Sequence, residues 1–201
     1  MKLLLFSDLH ADIAAAKELL RRSESFDVLI GAGDFGNMRR QVRDCITVLR
    51  TCDKPTILVA GNNESVAELR EACHDWPAAI VLHGTSTTVQ GVTFFGVGGG
   101  IPVTPFGNWS YDFSEVQATE WLKDMPTGGV LVTHSPPKGA VDIASNGKSL
   151  GSTAIRDAIV RTQPVFAVCG HIHASAGKCE MIGSTSVINA GPNGIEWEIP
   201  S

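Results

Sequence analysis

Apolar residues in this chain gather in short blocks, and most blocks run directly into glycine, aspartate, asparagine or histidine. Leu3–Phe6, Asp27–Gly31 and Thr56–Ala60 are such segments. Apolar side chains on consecutive positions, over so few residues, predict strands buried on both faces. The intervening segments have helical character. Ala11–Arg22 is built of good helix formers and ends on two arginines, which suits the negative end of a helix dipole. Arg40–Arg50 places Val42, Cys45, Ile46 and Leu49 on one helical stripe, and a third helix, 64–73, begins at the Gly61-Asn62-Asn63-Glu64 turn. Strand, loop and helix repeated in this way predict a mostly parallel sheet with crossover helices.

The middle of the chain has another character. Ile80–Leu82, Thr85–Val89 and Val92–Val97 are short β-rich segments interrupted by Gly84 and Gly91, as in hairpins. Gly98-Gly99-Gly100 opens a long irregular stretch to Tyr111, a length that usually signals a functional loop. Ser114–Lys123 reads as a helix capped by Ser114, Gly129–Thr133 as a strand ending at His134, and Ser135–Leu150 as a second loop. Gly151-Ser152 would cap a further helix, Val165–Cys169 is a strand, and residues 177–199 form short strands separated by glycines. With no repeat, low-complexity tract or linker, residues 1–201 are expected to form one α/β domain. The expected architecture is a two-sheet β-sandwich flanked by helices, not a doubly wound single sheet.

Composition narrows the partners. With 201 residues, 18% charged and a formal net charge of -5, the chain is long enough for a continuous core, and its negative balance argues against a nucleic-acid backbone as the principal partner. Five cysteines without a C-x-x-C pair read as scattered reduced thiols, Cys169 among them in the core. The apolar start Met1–Phe6 runs straight into Ser7-Asp8, too short for a signal peptide, and no stretch nears the ~20 apolar residues of a membrane span. A cytoplasmic protein with no membrane partner is expected. Oligomeric state is not encoded legibly.

The polar residues at the strand ends carry the chemistry. They are Asp8-Leu9-His10, Gly33-Asp34, Gly61-Asn62-Asn63-Glu64, Thr133-His134 and Gly170-His171-Ile172-His173. Singly, each has an ordinary explanation: Asp8 could cap the first helix, Asp34 could be a turn residue, Asn62 and Asn63 turn asparagines, and His171 a core histidine. Together they supply Asp8, His10, Asp34, Asn62, His134, His171 and His173 at the ends of strands that the fold can gather. Carboxylate, imidazole and amide donors suit hard and borderline divalent ions: manganese first, with iron, zinc, cobalt or nickel also compatible. Two ions about 3.5–4 Å apart share a carboxylate, lower the pKa of a bridging water toward ~7, and hold phosphoryl oxygens. No G-x-S-x-G or reactive cysteine competes as nucleophile.

On these residues the chain resembles the calcineurin-like metallophosphoesterases, whose pattern is Asp-x-His, Gly-Asp, Gly-Asn-His-Asp/Glu, a lone His and Gly-His-x-His. The match runs from residue 8 to 173. The resemblance implies a helix-flanked β-sandwich. It also implies that Asp8, His10 and His173 hold one metal, that Asn62, His134 and His171 hold the other, and that Asp34 bridges. His134-Ser135-Pro136-Pro137 and Gly151-Ser152 are similar to segments of compact prokaryotic members. In the family, the His after the ligand Asn contacts phosphate and assists the leaving group, paired with an Asp three residues after the bridging one. Here those positions are Asn63 and Asn37. An amide donates a hydrogen bond but no proton, so poor leaving groups should turn over slowly.

The expected activity is metal-dependent hydrolysis of small phosphodiesters, with phosphomonoesters a further possibility, and the alternative is a non-catalytic metal-binding module of the same fold. A helix opening at Ser152 could offer backbone N–H groups to a substrate anion, although an ordinary N-cap serine is the better-favoured explanation. Phe106, Trp109 and Tyr111 could stack on an aryl group or base, or pack on one another. His74 and His83 lie outside the motifs and are expected to be surface or structural.

Overall fold

The computed structural model describes residues 1–200. Two mixed sheets face each other, with three helices on one outer face and two on the other. The first sheet has the order β11-β1-β2-β3-β4. Its strands are β1 (Lys2–Phe6), β2 (Val28–Gly31), β3 (Thr56–Leu58), β4 (Ala79–Val81) and β11 (Ile195–Glu198). β1 to β4 are parallel, and β11 closes the edge antiparallel to β1, with Leu3 opposite Trp197. The second sheet has the order β5-β6-β7-β8-β10-β9. It comprises β5 (Thr85–Val89), β6 (Val92–Val97), β7 (Val130–Thr133), β8 (Phe166–Cys169), β9 (Cys179–Ile182) and β10 (Thr185–Asn189). Its four central strands are parallel, flanked by antiparallel β5 and β9.

Side-chain alternation sorts the consecutive apolar residues into three layers. Leu3 and Leu5 of β1 and Val28 and Ile30 of β2 meet Val130, Val132, Phe166 and Val168 between the sheets. The intervening Leu4, Phe6 and Leu29 face outward onto Leu19, Ile46, Leu49 and Leu69 of α1 (Ile13–Ser23), α2 (Val42–Leu49) and α3 (Val66–Ala72). On the far side Phe95, Leu131 and Ala167 pack against Leu122 and Ile159 of α4 (Glu115–Leu122) and α5 (Thr153–Thr162). Both faces of the central strands are thus buried, the reason their sequences are apolar without a break.

Several boundaries move, each for a local reason. α1 starts at Ile13 because Asp12, not Asp8, is its N-cap, accepting from Ala14 and Ala15 N–H. Gln41 has φ 62°, so α2 starts at Val42 instead of Arg40. Ser65 and Glu68 form a capping box that starts α3, leaving Glu64 outside the helix. The segment around Ile80 is not part of a hairpin: β4 adds to the first sheet parallel to β3, and only β5 and β6 pair as a hairpin in the second. The chain changes sheets between Val81 and Thr85. Among the described residues, no helix is long and apolar enough to cross a membrane.

Candidate metal centre

β1, β2 and β3 in one sheet and β7 and β8 in the other release their chains toward a common rim. There the backbone turns sharply. Asp8, His10, Asp34 and His171 all have positive φ (56°, 45°, 59° and 66°), a region costly for residues other than glycine and typical of sites held by their surroundings. The flanking glycines are required by contact. A Cβ on Gly61 would collide with the Asp34 carboxylate, and one on Gly170 with that of Asp8.

The gathered side chains point donor atoms at one another. Asp8, His10 and His173 each bring one ligand atom within 4.8 Å of the others, and so do Asp8, Asp34 and His134. His10 Nε2 and His173 Nε2 approach to 3.0 Å. Asp34 divides its oxygens: Oδ2 lies 3.6 Å from His10 Nε2, and Oδ1 lies 3.5 Å from His134 Nε2. His173 Nε2 is 3.6 Å from Asp8 Oδ1. His171 is held through its backbone N–H, which donates to Asp8 Oδ1 at 3.0 Å, and its ring meets that of His134 at 4.9 Å between centroids.

The second layer fixes which atoms face inward. His134 Nδ1 lies 2.8 Å from the Ala32 carbonyl, which can only accept, so Nδ1 carries a proton and Nε2 points into the site. Asn62 donates through Nδ2 to Ser110 Oγ at 3.0 Å, which turns its Oδ1 toward His134 Nε2 at 3.2 Å. Nitrogen and oxygen lone pairs therefore converge from His134, Asn62 and Asp34. Burial lowers the pKa of His134, but Asp34 and Asp8 outweigh it and the net shift is upward. The position calls for positive charge, carried by a proton or by a metal cation, and its donors are of the type that divalent ions accept. Burial pushes His171 down to about 3, assisted by His134, which leaves its imidazole neutral and able to donate a lone pair. Burial alone would raise Asp8, yet His173, His134 and Ser7 bring it to about 2, so it is ionised.

Glu64 is a participant that the sequence did not single out. It is 1% exposed, and Oε1 accepts from Asp34 N–H (2.8 Å) and Gly61 N–H (2.7 Å) while Oε2 accepts from Gly36 N–H (3.1 Å). It ties two ligand-bearing loops together from behind. Asn189 does the same for the third, donating from Nδ2 to Gly170 and Ile172 carbonyls on either side of His171, at 3.0 Å each. A Glu directly after the Asn pair was the available signal for the first; nothing local marked Asn189.

His10, Asp34, Asn62, His171 and His173 form the floor of a cavity of about 720 Å³, and Asp8 and His134 lie behind it. Asn63 and Asn37 both line it. Asn63 donates from Nδ2 to Asp34 Oδ2 at 2.6 Å and accepts from Met38 N–H at 2.7 Å, whereas Asn37 is exposed. Ser152 is not among the lining residues. It is fully buried, N-caps α5 by accepting from Ile155 N–H, and donates to Glu115. The Glu115 carboxylate also accepts from Thr153 and Ala154 N–H, so the helix N-terminus is already satisfied by an anion of the protein itself. Substrate contact at Ser152 is set aside on that ground. His74 is exposed beside Asp75; His83 is packed against Trp121 and Phe113.

A family model described as the calcineurin-like phosphoesterase superfamily domain matches residues 1–198. The human protein called metallophosphoesterase domain-containing protein 1 is 31% identical over 134 residues, which is 64% of this chain and 38% of that one. The chain spans 16%, 28% and 62% of the lengths of three further curated relatives. Among solved structures, the protein TT1561 of Thermus thermophilus superposes with a TM-score of 0.71 at 20% identity, covering 96% of this chain and 90% of that one. A dimetal phosphatase from Danio rerio superposes with a TM-score of 0.64 at 12% identity, covering 94% and 86%.

Proposed function

The chain belongs to the calcineurin-like phosphoesterase superfamily, and from that premise we propose that it is a two-metal phosphoesterase acting on small phosphodiesters ahead of phosphomonoesters. One observation carries the proposal: Asp34 turns one oxygen toward His10 and the other toward His134, at the junction of two donor groups. A carboxylate so placed can serve two cations at once. Asp8, His10 and His173 would hold one ion, and Asn62, His134 and His171 the other. Their carboxylate, imidazole and amide donors accept manganese readily and iron, zinc, cobalt or nickel as well. Bound there, such ions would polarise phosphoryl oxygens and lower the pKa of an attacking water.

The chain's own residues do the rest. Ala32 and Ser110 fix the orientation of His134 and Asn62, and Asp8 holds the backbone at His171, so the donors need little rearrangement to act. Among the described residues no Lys or Arg lines the cavity, so the extra negative charge of a monoester dianion meets no side-chain cation, which favours the singly charged diester. Asn63 and Asn37 can hydrogen-bond a phosphoryl oxygen but cannot protonate a leaving alkoxide. Activated esters should therefore react well and alkyl esters slowly. Free thiols at Cys45, Cys52, Cys73, Cys169 and Cys179 support a reducing, cytoplasmic setting for a domain of residues 1–201.

The test is hydrolysis of bis-p-nitrophenyl phosphate and p-nitrophenyl phosphate by metal-stripped protein, each divalent ion being added back, with Asp34→Asn alongside. Metal-dependent turnover, faster on the diester and lost in the variant, is expected. Stoichiometric metal binding without turnover would point instead to a non-catalytic module.

A further inference from the structure

We propose that the outer wall of the cavity recognises an uncharged aromatic group esterified to the phosphate, on the side away from the leaving group; this rests on the phosphodiesterase reading above. The wall is built by residues from separate parts of the chain. Met38 follows the Asp34 loop, Phe106 and Trp109 belong to the long loop after β6, Leu150 ends the loop before α5, and Ile172 lies between the paired histidines. Met38, Phe106 and Leu150 are 54%, 50% and 44% exposed. Isolated apolar side chains on a surface need no explanation, but several converging from different loops on one polar centre do.

The two rings are disposed to receive a planar group. Phe106 and Trp109 lie nearly parallel, with 13° between their planes and 5.8 Å between centroids, and Phe106 is half exposed. A third ring laid against them continues the stack. Their loop is anchored for the purpose. Tyr111 N–H donates to the Asn62 carbonyl at 2.9 Å, Asp112 accepts from Thr104 N–H at 2.9 Å, and Ser110 Oγ donates to Asp112 at 2.8 Å. Tyr111 turns the other way, onto Phe113 and His83. The loop thus spends one aromatic residue on its own packing and directs the other two at the cavity.

Charge restricts the ligand further. Apart from the metal-binding candidates, the described lining contains no ionisable side chain, so a second phosphate or a carboxylate on the substrate would lose its hydration without gaining a partner. An aryl substituent loses nothing and buries apolar area against Trp109 and Leu150.

Methyl p-nitrophenyl phosphate and phenyl p-nitrophenyl phosphate share a leaving group and a net charge, and differ only in the group proposed to bind the wall. The phenyl ester is expected to show the lower KM by about ten-fold, the size of one good stacking contact. Phe106→Ala and Trp109→Ala should each bring the phenyl-to-methyl ratio of kcat/KM toward one, whereas Val116→Ala, on the exposed face of α4, should not. Equal KM values for the two esters, or a ratio untouched by both variants, would overturn the proposal. Binding is read separately by titrating diphenyl and dimethyl phosphate against Trp fluorescence, with Trp109→Phe identifying the responding ring. Selective diphenyl phosphate binding without turnover of any ester would uphold the aryl site and remove the phosphodiesterase reading. Turnover without aryl preference would do the reverse.

Discussion

Asn63 donates one amide hydrogen to Asp34 and accepts the Met38 N–H on its side-chain oxygen, tied at both ends into the centre it borders. Asn37, exposed nearby, has the freedom that Asn63 lacks. Together they occupy the positions of an acid pair that the sequence pattern leads one to expect. Converting both, Asn63→His with Asn37→Asp, should restore a proton donor and raise kcat on alkyl phosphodiesters at least ten-fold, the lower part of what general acids supply being about 10²-fold. Aryl esters, whose leaving groups need no proton, should gain far less; the same gain on both would mean that the variants act by another route. Residues of this kind were readable in advance because their identities form a motif. Glu64 stood in that motif without an assigned role, and Ser110 and Asn189 were not marked at all. Each acts on backbone or side-chain groups that only the fold brings near, as Ser110 does on Asn62 across 48 positions.

Helices and strands were legible where a local rule decides them and obscure where a distant partner does. The N-caps at Ser114 and Ser152 were read from a few adjacent residues, whereas the capping box at Ser65, equally local, was passed over in favour of the turn before it. That β4 joins the first sheet and β5 the second depends on which edge is open, and neighbouring sequence says nothing of that. The start of α5 shows the same limit: its cap was evident, but not that Glu115, from α4, covers the neighbouring N–H groups of Thr153 and Ala154. Glu115→Ala removes that cover and the favourable placement of a carboxylate at a helix N-terminus. The cost should be about 1–2 kcal/mol, lowering the thermal midpoint by about 2–4 °C per kcal/mol. Metal affinity should be unaffected, since α5 contributes no donor. A calorimetric scan beside a metal titration separates the two.

For the molecule as a whole, the alternation of apolar and polar segments was enough to foresee a two-sheet sandwich, because each central strand declares burial on both faces. The closure of the first sheet by β11 was hidden, since its partner β1 lies at the opposite end of the chain. Global stability should carry the signature of His83. Burial, then Arg70, depresses this imidazole to about 4 from an ordinary 6.5. The unfolded chain therefore binds the extra proton first, and between pH 6.5 and 4 stability falls as pH falls. His83→Gln should flatten the pH dependence of the unfolding midpoint across that window; a wild-type-minus-variant difference that does not vary with pH would assign the histidine another role. The meeting of His10 with His173, 163 residues apart, has a consequence for kinetics. No partly folded chain with a single formed sheet can present both, so a divalent ion added during refolding finds its full set of donors only once both sheets have formed and met. Such an ion should slow the loss of the native state while leaving its formation rate almost untouched, acting as a latch and not as a nucleus.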